Sequence, residues 1–173
     1  MSKRWTQRRK SLRHRRTWIS AFAAACAAVL LILLAGNETA MGGIQRGLAS
    51  ITSGILNLFG HRTVVMGSTV SSDLFGITVV TACTGLFATG LFLIAVIAFP
   101  TGWRAKLVGA GLGVAGILFL NIVRLVSLYY IGVHLPGFLD PAHQLIWQSV
   151  LIVFSVALWL LWAGRWAHAP RRA

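Results

Sequence analysis

Cys83 stands in the stretch Thr81-Ala82-Cys83-Thr84-Gly85-Leu86, at the head of an apolar run that ends at Phe99-Pro100. A thiol on the first turn of a helix meets unpaired N–H groups and the positive end of the helix dipole. That setting favours the thiolate, the form that attacks carbonyl carbon. Two later stretches carry groups able to work with it: Asn121-Ile122-Val123-Arg124 inside an apolar segment, and Asp140-Pro141-Ala142-His143 just before another. A thiol, an imidazole and a guanidinium brought together support acyl transfer. His143 would take the thiol proton and later return one to a leaving amine. Cys83 would hold the acyl group as a thioester, and Arg124 would stabilise the oxyanion or the thiolate. Asn121 lies three residues before Arg124, on the same helical face, where it can orient the guanidinium or donate to a substrate. Asp140 can contact His143 or simply cap a helix.

Plainer readings compete with these. A cysteine near the end of an apolar helix packs, a histidine there sits at an interface, and an arginine can snorkel to headgroups. An embedded arginine is the hardest of the three to dismiss, since it costs roughly 3 kcal/mol or more and usually marks function. Glu38, His61, Asp73 and His134 read as surface or interface residues.

Composition bounds what carries these groups. The 173 residues suggest one domain, 57% of them are hydrophobic and only 11% charged. A chain this apolar, with several runs near the ~20 residues needed to cross a bilayer, is an integral membrane protein. The net charge of +13 is concentrated at one place. Eight of the sixteen basic residues fall within positions 1–16, abutting an apolar run. That pattern is a topology determinant near anionic lipid, and no recognition module succeeds it, so nucleic acid is not an expected partner. Cys26 lies among alanines in the first apolar run and reads as packing, which leaves Cys83 a free thiol. The five histidines are scattered without a metal-ligand spacing, so neither metal nor cofactor is expected.

The expected fold is all-α and polytopic: about four transmembrane helices, an outer-face amphipathic helix and a short extended hairpin. Residues 1–16 form a basic cytoplasmic tail, disordered or lying on the membrane surface. Residues 17–165 form one membrane-embedded domain, and 166–173 a second basic cytoplasmic tail. The spans cover Thr17–Gly36 (an uncleaved anchor), Cys83–Phe99, Leu107 to about Val133, and about Ala142 to Gly164. Gly109, Gly111, Gly113 and Gly116 in the third permit close helix approach. Between the first two spans, Ile44, Leu48, Ile51, Ile55, Leu58 and Phe59 recur at helical spacing, an apolar face for an interfacial helix. The β-branched residues of 61–80, broken by Gly67 and Gly76, suggest the hairpin. Asp140-Pro141 reads as an N-cap followed by a first-turn proline.

Four spans with a cytoplasmic N-terminus put thirteen basic residues inside and only Arg46 and Arg62 outside, in keeping with the positive-inside rule. Seventeen residues from Leu107 at about 1.5 Å each carry Arg124 roughly 25 Å along its helix. It then lies near the outer level of Cys83 and His143.

The ordered motifs "TACTGL", "NIVRL" and "DPAHQLIW" resemble those of the exosortase/archaeosortase membrane transpeptidases. That family carries an A-C-S/T-G motif opening one transmembrane helix, N-x-x-R within a later one and a histidine opening the last. The likeness covers about residues 60–150. It implies a cysteine protease–transpeptidase of the bacterial inner membrane, with both termini cytoplasmic and the active site at the periplasmic face. Its partners would be membrane-anchored envelope proteins with a C-terminal sorting signal: a short motif, a transmembrane helix and a basic cluster. The catalytic roles fall on Cys83, Arg124 and His143, with Asn121, Thr84 and Asp140 supporting. The competing class is a non-catalytic membrane scaffold or assembly factor in which Arg124 pairs with a partner helix. A transporter fits less well, because no embedded carboxylate or inverted repeat accompanies Arg124.

Overall fold

The computed structural model describes residues 2–167, with side chains described for 18–34 and 36–166. Residues 168–173 of the C-terminal basic tail lie outside that range. The chain folds as a mostly helical assembly with a small sheet at one end. Helix α1 runs Ser2–Ala35. No glycine or proline interrupts this stretch, so nothing breaks the helix at the boundary expected near residue 16, and the backbone of the basic tail is helical too. It ends at Gly36-Asn37, and the Asn37 side chain accepts from the Ala40 N–H at 2.9 Å to cap α2, Glu38–Leu58. The two helices meet at 82°.

The periodic face expected of α2 is rotated in the fold. Ile51, Leu58 and Phe59 point outward, whereas Met41, Leu48, Ala49, Thr52, Ser53 and Leu56 are buried. Polar Ser53 turns inward because the Thr63 hydroxyl lies 2.8 Å from its own, and Asn57 closes the same junction by accepting from the Thr63 N–H at 2.7 Å. The outward apolar stripe is left exposed.

Residues 64–78 form three strands where a hairpin was expected. β1 (Val64–Met66), β2 (Thr69–Ser71) and β3 (Gly76–Thr78) pair antiparallel in the order β1-β2-β3. Val70 pairs with Ile77 at the middle of the second ladder and is fully buried.

After a 3-10 turn, Thr81–Cys83, come α3 (Leu86–Ala98) and α4 (Trp103–His134). A second 3-10 turn, Pro136–Phe138, leads into α5 (Leu139–Pro141), a π-helical turn at Ala142–Ile146, α6 (Trp147–Trp162) and a closing π turn at Ala163–Ala167. Asp140 therefore does not cap this run. Helical geometry begins one residue earlier, at Leu139, and puts Asp140 in the first turn. Trp103–His134 and Pro136–Trp166 are long and apolar enough to cross a membrane, and a third span results if Trp18–Leu34 and Glu38–Leu58 count as one bent pair. α3, with 13 residues, is about 20 Å long, short of a ~30 Å hydrocarbon core.

Small residues and aromatics hold α3, α4 and α6 together. A Cβ at Gly113 would overlap the Phe92 ring, and one at Gly109 would meet Trp162. Trp162 is fully buried and donates its indole N–H to the Ala105 carbonyl at 2.7 Å. At the same end Lys106 donates to Ser20 Oγ at 3.1 Å and to the carbonyl of Ile97, in the last turn of α3. A cation there also meets the negative end of that helix. Cys26 is exposed on α1 rather than packed. At the opposite end a second core joins Leu48 and Leu56 of α2, Val70 of β2, and Leu125 and Tyr129 of α4 around Cys83.

Candidate active site

Cys83 is the last residue of its 3-10 turn and not the first of α3. Its N–H bonds the Val80 carbonyl at 2.8 Å. Thr84 and Gly85 intervene before α3, so the turn, rather than a helix terminus, sets the direction of the thiol. Thr84 is buried and holds that turn. Its hydroxyl donates to the Thr81 carbonyl at 2.8 Å and accepts from the Leu86 N–H at 3.3 Å. Gly85 comes next at φ 70°, a left-handed conformation, and a Cβ there would lie 3.2 Å from Asn121 Cγ. Both facts call for glycine.

Asn121 has no exposed surface, and its Nδ2 donates to the Cys83 carbonyl at 2.8 Å. It anchors the thiol's own turn and makes no hydrogen bond to Arg124, the role that the three-residue spacing had suggested.

His143 brings its Nε2 to 2.8 Å from Cys83 Sγ. It sits in the π turn, where the Trp147 N–H reaches back five residues to the Ala142 carbonyl. Such turns widen a helix locally and shift which carbonyl each N–H meets. The His143 carbonyl takes a further donor, Arg124 Nη2, at 3.5 Å. Arg124 is 1% exposed, enclosed by protein rather than extended to the surface, and its Nε and Nη1 have no hydrogen-bond partner among the described residues. A buried guanidinium with two free donors is costly unless an acceptor arrives.

Two clefts flank this trio. One, of about 390 Å³, opens between α3 and α6 and is lined by Thr81, Leu86, Leu91, Arg124, Gln148 and Ile152 among others. A second, of about 220 Å³, has Cys83 and His143 in one wall and β3 with Phe75 in another. Asp140 lines this second cleft, exposed, without a hydrogen bond to His143. Among the described residues no group of three His, Cys, Asp or Glu side chains is placed to hold a metal ion.

The fold thus brings Cys83, Arg124 and His143 together, with Asn121 and Thr84 beneath the thiol and Asp140 at the rim. The sequence placed the β3 residues in the extended hairpin of 61–80, but not as a third strand lining the cleft beside the thiol. The only signal for it was the Gly76-Ile77-Thr78 alternation, which does not say what a strand lies beside. Compared with family models, curated proteins and solved structures, the chain matches none.

Proposed function

We propose that the chain is a membrane-embedded cysteine protease–transpeptidase of the exosortase/archaeosortase type, acting on envelope proteins that end in a sorting motif, a transmembrane helix and a basic cluster. The observation that carries this reading is the 2.8 Å approach of His143 Nε2 to Cys83 Sγ, beside an arginine with two unused donors.

In the reaction, His143 Nε2 removes the thiol proton as Cys83 Sγ bonds to the substrate carbonyl carbon. Arg124 offers its free N–H groups to the negative charge that develops on the oxygen. The C–N bond then breaks, and the amine leaves with the proton from His143. An acceptor amine, or water, attacks the thioester, gives a proton to His143 and expels the Cys83 thiolate. That proton returns to sulfur. The apolar cleft between α3 and α6 suits a helix approaching through the bilayer. It continues past Leu91 and Ile152 into a second cavity of about 370 Å³ bounded by Phe92 and Trp159.

This reading takes the chain to cross four times, with the short α3 as one crossing; thirteen basic residues then fall on one side, which supports cytoplasmic termini and a periplasmic site. The test is the processing of a co-expressed tail-signal protein. Wild type cleaves it, whereas Cys83→Ala, Arg124→Ala and His143→Ala do not, and undiminished cleavage by Cys83→Ala removes the proposal.

The same free Arg124 donors favour one rival, a scaffold whose Arg124 meets a partner's carboxylate. That reading requires Cys83→Ser to keep function and Arg124→Glu to lose it.

A further inference from the structure

Strand β3 is the end of the sheet order β1-β2-β3, so among the described residues one of its sides has no strand beside it. Its bonding pattern fixes which groups face that side. The Val79 N–H bonds the Ser68 carbonyl, and the Phe75 carbonyl accepts from the Ser72 N–H. With Val70 opposite Ile77, residues 75, 77 and 79 turn their main-chain groups toward β2. In an antiparallel ladder the alternate residues point the other way. Gly76 and Thr78 therefore direct N–H and C=O outward, and both are exposed. The close side-chain pair Thr69–Thr78, with hydroxyl oxygens 2.9 Å apart, fits a position without ladder hydrogen bonds.

The edge is short, but its three residues lack the other usual protections. Gly76-Ile77-Thr78 carries no lysine, proline or bulge. All three residues of β3 line the 220 Å³ cleft that Cys83 and His143 also line. An open edge beside a nucleophile is a template for one kind of occupant, an extended peptide.

We infer that the substrate's sorting segment docks as a fourth strand on β3, its main chain hydrogen-bonded to Gly76 and Thr78 and its scissile carbonyl thereby presented to Cys83. This rests on the peptidase reading and specifies how that site takes its substrate. Main-chain pairing would supply affinity, while alternate side chains of the segment enter the cleft against Leu128 and Leu139.

The test measures alkylation of Cys83 in the full-length protein in detergent, by mass spectrometry, with two reagents. Acetyl-tetraalanyl chloromethyl ketone has a main chain and almost no side chains, and iodoacetamide has neither. Thr78→Pro removes the outward N–H and leaves the ladder to β2 in place, since proline is tolerated where an edge N–H faces away. It should slow the peptide reagent about tenfold, the loss of one hydrogen bond, and leave iodoacetamide unchanged. Thr78→Val, which loses the hydroxyl and its contact with Thr69 but keeps the N–H, should slow the peptide reagent far less than Thr78→Pro. N-methylation of alternate amides in the peptide reagent, tested on the unaltered protein, should slow it at one register only. Equal slowing of both reagents by Thr78→Pro, or indifference to N-methylation, overturns the docking. Iodoacetamide alkylation that His143→Ala does not slow counts against the peptidase reading itself, whatever the peptide reagent does.

Discussion

The Asn121 amide donates to the Cys83 carbonyl from a side chain wholly out of solvent, so removing it strands a buried acceptor. Asn121→Ala should cost about 1–3 kcal/mol, read as a lower melting temperature in detergent. It should also lower substrate cleavage, because the turn that aims the thiol is loosened. Gly85→Ala meets two separate penalties. The left-handed backbone costs a residue with a Cβ about 1–2 kcal/mol, and the new Cβ presses on Asn121 Cγ at 3.2 Å. Combining the two substitutions removes the Cγ and Oδ1 contacts, leaves Cβ at an ordinary 3.4 Å, and keeps the backbone strain. The double variant should thus be less destabilised than the sum of the singles. Strict additivity would show that Gly85 and Asn121 do not touch. The types and order of Cys83, Arg124 and His143 could be read from the chain because each is chemically unusual in its apolar surroundings. The target of Asn121 could not, since spacing along α4 says which residues share a face and nothing about which neighbour that face meets.

Helices α3 and α4 approach closely because Gly113 leaves room for the Phe92 ring. Gly113→Ala drives a methyl into that ring and should destabilise by about 1–3 kcal/mol through overpacking. It should also move the turn bearing Cys83 relative to Arg124, since that turn leads into α3 and Arg124 belongs to α4. Phe92→Ala alone leaves a cavity. The pair Gly113→Ala with Phe92→Leu should recover part of the lost melting temperature, and failure to recover any would place the strain elsewhere. Gly111, by contrast, has nothing within 4 Å of its Cβ position and should accept alanine freely. Hydropathy revealed that α4 and the last helix were apolar enough to cross a membrane, and the glycine-rich stretch announced a tight crossing. It did not reveal which glycines face a neighbour. For the same reason α2 was legible as a helix while its buried face was not. The period locates an apolar stripe, but lipid and protein both accept it, and only the Ser53–Thr63 junction decides the rotation. The π turn that holds His143 has no comparable signature, because its residues are as compatible with an ordinary helix as those of α6.

Across the whole molecule the two ends differ in kind. One end gathers the sheet, Cys83, Arg124, His143 and α2 around a core that includes Tyr129, whose hydroxyl lies 2.7 Å from that of Ser72. The other holds the α3–α4 connection, Lys106 against Ser20 and Ile97, and the edge-to-face contacts of Phe99 with Trp159 and Trp162. The proposed orientation assigns the first end to the periplasm and the second to the cytoplasm, and a pair of engineered thiols separates it from its inverse. In a Cys26→Ala, Cys83→Ala background, Met66→Cys sits on exposed β1 and Gly102→Cys in the α3–α4 connection with open space around its Cβ. A membrane-impermeant maleimide added to spheroplasts should label the first at once, and the second only after permeabilisation. Labelling of both in intact spheroplasts would mean that α3 does not carry the chain across, as its 13 residues alone would suggest. The reverse pattern would put the thiol in the cytoplasm, out of reach of an envelope substrate, and leave the arrangement of Cys83 and His143 needing a different one.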